Sequence, residues 1–209
     1  MKKTALYRFA QIIVPAIFKI LYRYKIVGKE NIPQTGKLLM CSNHTSNADP
    51  LFLGLTQKRQ VWFMAKQELF KNKFLAGIIR GLGAFPVERS GGVSAIKKGI
   101  DLLKKENVVG IFIEGTRSKT GELLKPKPGV TLLAYETKAT IVPMAIVGKD
   151  GKPPKAFQKT IINIGKPMPF EDLGMEDSSG LAMRNASRTV MEEIRILREE
   201  AIKMQQKGE

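Results

Sequence analysis

The sequence predicts a single-domain α/β sandwich, in which helices cover a mostly parallel or mixed central sheet. Short apolar segments alternate along the chain with segments whose apolar residues recur every three or four positions, which is the pattern of strands alternating with helices. Residues 108–113 form an uninterrupted apolar run, as expected for a central strand covered on both faces. A chain of 209 residues is most simply one such domain, and it is large enough for a sizeable core.

The predicted elements follow one another from residue 25. Strands are predicted at residues 25–27, 38–42, 61–65, 85–87, 108–113, 141–147 and 160–164, because these segments are short and apolar. Helical segments are predicted at residues 50–56, 68–70, 74–82, 93–105, 129–137 and 178–206, and a surface loop at residues 149–155. In the last helix, Val190, Ile194, Leu197 and Ala201 recur at helical spacing.

Residues 1–24 are predicted to form an amphipathic helix or helix pair that lies in the membrane interface. Its polar positions fall on one narrow helical face, and apolar side chains surround the rest; they are Thr4, Arg8, Gln11, Pro15, Lys19 and Arg23. The longest uncharged run, residues 9–18, is far short of the roughly 20 residues that cross a bilayer, and no small-residue cleavage site follows. The alternative is a first helix packed on the core with its charges in water. Pro15 is expected to kink or split the helix.

The charge and the cysteine content of the chain limit the classes of partner and of site that it can have. Lys and Arg outnumber Asp and Glu by 35 to 19, which gives a net charge of +16 and favours a polyanionic partner: nucleic acid, an anionic membrane, or phosphorylated or acidic substrates. The single cysteine, Cys41, excludes an internal disulfide and a Cys-based metal cluster. Because Cys41 falls in a predicted buried strand, it is interpreted as a core residue.

His44 is the only histidine of the chain, and Asp49 follows five residues later. The unperturbed pKa of imidazole suits proton transfer near neutral pH. His44 follows the predicted strand 38–42, so it is expected at the carboxyl end of a strand, where open α/β sheets place their sites. Asp49 is expected at the N-cap of the next helix, with Pro50 at the first helical position. A hydrogen-bonded surface histidine beside a plain helix cap remains the alternative.

Residues 44–49 are also the first of four blocks that occur in the order of a known family. They match a His-x4-Asp block, and residues 83–89 (GAFPVER), 112–118 (FIEGTRS) and 141–145 (IVPMA) look like the second, third and fourth blocks. Together they resemble the glycerolipid acyltransferases, specifically the 1-acyl-sn-glycerol-3-phosphate acyltransferase family. The similarity runs from about residue 25 to about residue 170, and it implies the same class of fold, with an acyltransferase domain at residues 25–209.

The resemblance implies transfer of a fatty acyl group from a thioester to the free hydroxyl of 1-acyl-glycerol-3-phosphate (lysophosphatidic acid), which yields phosphatidic acid for phospholipid synthesis. A base that takes the proton of the attacking hydroxyl contributes about 10²–10⁴-fold. His44 is predicted to be that base, and Asp49 to fix its tautomer. The alternative is a true nucleophile at Cys41, Ser42, Ser46 or Ser118, but the sequence contains no Gly-x-Ser-x-Gly elbow.

An acceptor with a phosphomonoester needs cations and oriented N–H donors. The family pattern assigns the position of Arg89 to the acceptor phosphate, and Lys66 is added to the same pocket. Gly115 permits a tight turn, whereas Glu114 is expected to bind the glycerol hydroxyl or to brace a cation. The alternative is that the cations are solvated and the turn is purely structural. The predicted acceptor-binding residues are Lys66, Arg89, Glu114, Gly115, Thr116 and Arg117.

Expected partners follow from the same resemblance. They are lysophosphatidic acid, acyl-CoA or acyl carrier protein as the thioester, and an anionic membrane surface at the cytoplasmic face of the inner (cell) membrane. No metal site and no cofactor beyond the thioester are expected. One alternative keeps the chemistry but changes the acceptor to glycerol-3-phosphate, a lyso-ornithine lipid or another lysophospholipid. The other is a basic nucleic-acid-binding domain, which explains the charge but not the four blocks and lacks aromatic platforms; nucleic acid is therefore not an expected partner.

Overall fold

The computed structural model describes residues 4–87 and 92–207, and in these ranges it contains six α-helices and seven strands. The helices are α1 (Ala5–Tyr22), α2 (Asp49–Leu55), α3 (Lys73–Gly81), α4 (Gly92–Lys104), α5 (Gly129–Thr137) and α6 (Gly180–Gln206). The strands are β1 (Lys25–Val27), β2 (Leu38–Ser42), β3 (Val61–Lys66), β4 (Ala84–Val87), β5 (Val108–Phe112), β6 (Thr140–Val147) and β7 (Ile161–Ile164). Apart from α1, which lies inside the predicted segment 1–24, each begins and ends within two residues of its predicted bounds. The segment predicted at 68–70 is a short 3-10 helix, Gln67–Phe70.

The strands form one mixed sheet, which confirms the predicted fold class. Their order is β1-β7-β6-β2-β5-β3-β4, so β2 lies at the centre. Strands β2, β3, β4, β5 and β6 all run parallel to one another. Strand β7 is antiparallel to β6, and β1 is parallel to β7. We call the side at which β2 to β6 end the carboxyl edge. Because β7 and β1 run in the opposite direction, they begin at this edge.

The core consists of two apolar layers, one on each face of the sheet. Leu39 and Cys41 of β2 pack with α4, α5 and α6, and Leu38 and Met40 of the same strand pack with α1 and α2. All four side chains are completely buried, as expected for a strand covered on both faces. Burial also raises the pKa of the Cys41 thiol, which favours a core residue over a thiolate nucleophile.

Helix α1 is continuous, so the alternative of a helix pair is wrong and Pro15 does not end the helix. One side of α1 is fastened to the domain over its whole length. Tyr7 and Phe18 are buried, and the side-chain amide of Gln11 donates to two backbone carbonyls in the loop after α2. These contacts lie on both sides of Pro15 and hold the two halves to one surface, although the proline itself removes a backbone hydrogen bond.

The opposite side of α1 is apolar and exposed to solvent. Six side chains on it are 38–72% exposed, namely Leu6, Phe9, Ile12, Ile13, Ile17 and Ile20. At 100° per residue they project away from the side that carries Tyr7 and Phe18. By length and composition α1 would suffice to cross a membrane, and it is the one such helix in the part of the chain that the structure describes. Its fastened side, however, holds it along the surface of the domain.

Candidate active site

The predicted catalytic pair is hydrogen-bonded in the structure. His44 Nδ1 lies 2.8 Å from Asp49 Oδ2, with the His44 side chain 18% exposed and Asp49 completely buried. The same oxygen of Asp49 accepts the backbone N–H groups of Thr45 and Ser46, each at 2.7 Å. Since Asp49 engages Nδ1, Nε2 is the ring nitrogen left to take a substrate proton, which is the arrangement of the histidine in a catalytic triad.

Asp49 is not the helix cap that the sequence predicted. Helix α2 begins at Asp49 itself, Ala48 occupies the N-cap position, and Pro50 comes one position later than expected. The Asp49 carboxylate points towards the preceding loop, because that loop supplies three hydrogen-bond donors to Oδ2. The other oxygen, Oδ1, is buried and has no hydrogen-bond partner among the described residues. A buried carboxylate held beside the ring favours the imidazolium that forms when His44 accepts a proton.

Two residues that the sequence did not single out hold His44 in place. The Phe112 ring stacks on the imidazole, with ring centroids 4.0 Å apart and planes inclined by 12°. Asn43 is 1% exposed and exchanges two hydrogen bonds with the backbone of Ile146: its Nδ2 donates to the carbonyl at 3.1 Å and its Oδ1 accepts the N–H at 2.8 Å. Asn43 thereby continues the β2–β6 pairing through a side chain and fixes where the chain leaves the sheet.

The turn at residues 114–118 lies directly against the loop of His44. Glu114 Oε1 accepts the His44 N–H at 3.0 Å, and the Ser118 N–H donates to the His44 carbonyl at 2.8 Å. Arg117 donates to the side-chain oxygen of Asn47. The first and third blocks of the sequence therefore form one site.

Glu114 is bonded on both sides to backbone. Besides the His44 N–H, its carboxylate accepts the Leu124 N–H at 3.1 Å through Oε2, and the residue is 1% exposed. Burial raises the pKa of the Glu114 carboxyl, and the two N–H donors partly offset this. The geometry makes Glu114 a brace between two loops. Its contact with the glycerol hydroxyl stays a prediction, and one that its burial does not favour.

Other predicted binding residues are exposed at the carboxyl edge. Lys66 ends β3, and Gly115, Thr116 and Arg117 follow β5. Gly115 has a φ of +67°, and a Cβ at this position would lie 3.2 Å from the side chain of Lys127, so a residue with a side chain would be strained there. The phosphate-binding role of Arg89 stays a prediction, because Arg89 lies outside the described residues. The roles of Lys66, Thr116 and Arg117 also stay predictions.

The alternative nucleophiles fit the structure poorly. Cys41 and Ser42 are completely buried, and Ser118 is 2% exposed. The hydroxyl of Ser118 accepts the N–H of Gly121 at 3.2 Å, and that of Ser46 accepts the N–H of Ala48 at 3.1 Å. These serine hydroxyls serve local turns, which is a common structural use of serine.

An apolar cavity of about 260 Å³ opens beside the predicted catalytic loop, residues 43–49. It lies between α1, α2, β3 and α3, so sequence reasoning on single segments did not find it. Asn47 and Pro50, which are close to Asp49 in sequence, belong to its lining. Its apolar lining includes Tyr7, Ala10, Val14, Leu51, Leu55, Phe63, Leu69, Ile79 and Leu82.

The fold and this site define an α/β protein with a hydrogen-bonded histidine–aspartate pair at the carboxyl edge of its sheet. A family model described as Acyltransferase matches residues 23–147. A 1-acyl-sn-glycerol-3-phosphate acyltransferase of Bacillus subtilis is 35% identical over 166 residues, which are 78% of this chain and 82% of that protein. The chain belongs to the acyltransferase family, as the four blocks indicated.

Further comparisons agree with this assignment. A 1-acyl-sn-glycerol-3-phosphate acyltransferase of Streptococcus pneumoniae is 29% identical over 173 residues, which are 78% of this chain and 64% of that protein. The crystal structure of the 1-acyl-sn-glycerophosphate acyltransferase PlsC from Thermotoga maritima superimposes with a TM-score of 0.71. It is 24% identical, and the match covers 96% of this chain and 78% of that chain. This last comparison establishes the shared fold.

Proposed function

We propose that the protein transfers a fatty acyl group from an acyl thioester to the free hydroxyl of 1-acyl-glycerol-3-phosphate and so makes phosphatidic acid. The observation that carries this proposal is the 2.8 Å contact between His44 Nδ1 and Asp49 Oδ2 beside an apolar cavity. The names of the Bacillus and Streptococcus relatives, both 1-acyl-sn-glycerol-3-phosphate acyltransferases, support this acceptor.

The proposed reaction needs no acyl-enzyme intermediate. His44 Nε2 takes the proton of the acceptor hydroxyl as its oxygen attacks the thioester carbonyl, and Asp49 stabilises the resulting imidazolium. The tetrahedral intermediate then collapses: the carbon–sulfur bond breaks, and the thiolate leaves with the proton that His44 returns. The products are the new ester and a free thiol, and the base is regenerated. No cofactor beyond acyl-CoA or acyl carrier protein is needed in this scheme.

The cavity is proposed to receive the fatty acyl chain of one substrate. Its lining is almost entirely apolar and includes Asn47 of the catalytic loop and Pro50 directly after it. An acyl chain there would be removed from water while its carboxyl end lay near His44.

The acceptor phosphate is proposed to bind the cations of the carboxyl edge, which include Lys66, Arg117 and, from the sequence, Arg89. A contact with the acceptor phosphate is made mainly to that substrate. Arg89→Ala should therefore raise the KM for the phosphorylated acceptor more than the KM for the thioester. Equal effects on both substrates would assign Arg89 to the fold.

Helix α1 is proposed to dock on an anionic membrane surface, with the cytoplasmic face of the inner membrane as the expected location. The fastened side of α1 and its apolar side are opposite each other. Arg8 and Lys19 lie at the border between the two sides at 100° per residue, where they would meet anionic headgroups while the apolar side chains enter the interface.

The direct experiment is an assay of the purified full-length chain with two acceptors, lysophosphatidic acid and glycerol-3-phosphate, each with acyl-CoA and with acyl-acyl carrier protein. We expect acylation of lysophosphatidic acid with at least one thioester, and turnover lower by about 10²-fold or more for the His44→Ala control. A higher kcat/KM for glycerol-3-phosphate would contradict the proposed acceptor, and turnover by His44→Ala within tenfold of the wild type would contradict the proposed base.

A further inference from the structure

We propose that the loop at residues 152–159 is a second lipid contact, in which the Phe157 ring enters the interface of an anionic bilayer and holds the carboxyl edge of the sheet towards it. This inference rests on the proposed docking of α1. It adds a contact that lies outside α1 and outside the active site.

Neither folding nor solubility accounts for a phenylalanine at position 157. Its side chain is 65% exposed, so the ring contributes little to the core. Its φ is 64°, a backbone conformation that is unfavourable for a bulky residue. The other non-glycine residues with positive φ in the described ranges all carry charged side chains; they are Arg23, Glu106, Lys138 and Asp150. A lipid interface would give the exposed ring an apolar environment.

The loop is fastened to the last turn of α1. The Phe157 N–H donates to the Leu21 carbonyl, and the Thr160 N–H donates to the Tyr22 carbonyl at 3.0 Å. Ile20, which is 70% exposed, belongs to the apolar side of this same turn. The backbone of Phe157 therefore lies beside the last turn of α1, which carries the exposed Ile20.

The charges around Phe157 favour an anionic bilayer as the occupant. The segment 152–160 contains three lysines (Lys152, Lys155 and Lys159) and no acidic residue. Lys25 adds a further cation nearby, because its N–H donates to the Thr160 carbonyl at 2.9 Å. An exposed aromatic ring among lysines combines the two features of interfacial binding, apolar insertion and attraction to anionic headgroups.

The position of the loop in the fold gives the contact a function. Phe157 shortly precedes β7, whose Ile161 pairs with Val147 at the end of β6. The neighbouring Ile146 is the residue whose backbone Asn43 holds, next to His44. Phe157 and the catalytic base therefore lie at the same edge of the sheet. A lipid contact there would bring the base to the surface in which a lysophospholipid acceptor resides.

The test compares Phe157→Asn with the matched control Leu181→Asn in the full-length chain. Leu181 is 62% exposed and begins α6, which packs on the other face of the sheet from α1. On vesicles that mix phosphatidylglycerol with phosphatidylcholine, we expect Phe157→Asn to bind roughly tenfold more weakly and Leu181→Asn to bind like the wild type. The melting temperature of Phe157→Asn should be unchanged or higher, because asparagine tolerates a positive φ. Activity on detergent-dispersed acceptor should be unchanged.

A second measurement locates the ring itself. In a Trp62→Phe background, Phe157→Trp places the one indole of the chain in the loop, and its emission should shift to the blue and be quenched by brominated lipid when vesicles are added. Wild-type binding by Phe157→Asn, or an unshifted emission on bound vesicles, would overturn this inference and leave the docking of α1 intact. If the wild type itself does not bind the vesicles, both this inference and the proposed docking of α1 are wrong.

Discussion

The catalytic loop and helix α1 distribute their polar and apolar side chains in opposite ways. In the loop, Asn43 and Asp49 are buried and bonded to backbone and to the histidine ring. In α1, Phe9, Ile12 and Ile20 are 60–72% exposed. Both arrangements are unfavourable for an isolated soluble domain unless something compensates for them.

The source of this compensation differs between the two regions. The difference distinguishes the residues proposed for the reaction from those proposed for membrane docking. Around His44 it is internal, since Asp49, Phe112 and Glu114 hold the histidine and its loop. For the exposed side of α1 it must come from outside the chain, and we have proposed a membrane surface. Substitutions in the first region should therefore change turnover, and substitutions at the border of α1 should change vesicle binding.

The largest effect is expected for His44→Ala. Loss of the base should lower turnover by about 10²–10⁴-fold in detergent solution, because no second histidine exists in the chain. Vesicle binding should stay at the wild-type level, as measured by co-sedimentation. Turnover within tenfold of the wild type would remove His44 from the role of base.

Asp49→Asn should reduce kcat by about 10²-fold or more while the KM values change little. An asparagine oxygen in the place of Oδ2 still accepts the same three N–H groups, but the neutral amide no longer stabilises the imidazolium that forms when His44 takes a proton. Steady-state kinetics together with a melting curve check this. If kcat is nearly unchanged, Asp49 organises the loop and does not orient the base.

Replacing Arg8, Lys19 and Arg23 by Gln should weaken vesicle binding by about 10²-fold, since each cation contributes about 1 kcal/mol near an anionic surface. Binding should also lose much of its salt dependence, and the melting temperature should change little. A matched control replaces Lys97, Lys98 and Lys104 by Gln, which are exposed on α4, a helix that packs on the other face of the sheet from α1. Equal losses in both triple variants would mean that net charge, and not the border of α1, drives binding.

Glu114→Ala should lower the free energy of unfolding by about 2 kcal/mol, because it leaves the buried N–H groups of His44 and Leu124 without an acceptor. Denaturant titration measures this. Glu122→Ala is the control, since Glu122 is 76% exposed in its ion pair with Arg198 and should matter little. Unchanged stability of Glu114→Ala would argue that Glu114 does not stabilise the two loops. It would favour the predicted contact of Glu114 with the acceptor instead.

Much of the fold could be predicted because its signals are local. Strands such as β2 and β5 are short apolar runs, and α6 shows its apolar residues at helical spacing. The direction of β1 could not be predicted, because it follows from the parallel pairing of Lys25 with Ile161 of β7, and these two residues are far apart in sequence. The continuity of α1 through Pro15 likewise depends on contacts with the rest of the domain.

The catalytic pair was accessible to sequence reasoning, whereas its support was not. His44 and Asp49 are close in sequence, so one spacing predicts their contact. Phe112 meets the imidazole only because β2 and β5 pair Ser42 with Phe112. Glu114 was assigned to substrate binding by its chemistry, but its two backbone partners come from separate loops.

Activity on two physical forms of the same acceptor tests the separation of chemistry from docking most directly. Turnover would be measured for the wild type, His44→Ala and the Arg8, Lys19, Arg23→Gln triple variant, with lysophosphatidic acid either dispersed in detergent or embedded in phosphatidylglycerol-containing vesicles. We predict that His44→Ala is slower than the wild type by about 10²-fold or more in both forms, and that the triple variant matches the wild type in detergent but loses most of its turnover on vesicles. An equal loss by the triple variant in both forms, or turnover by His44→Ala within tenfold of the wild type, would contradict the account.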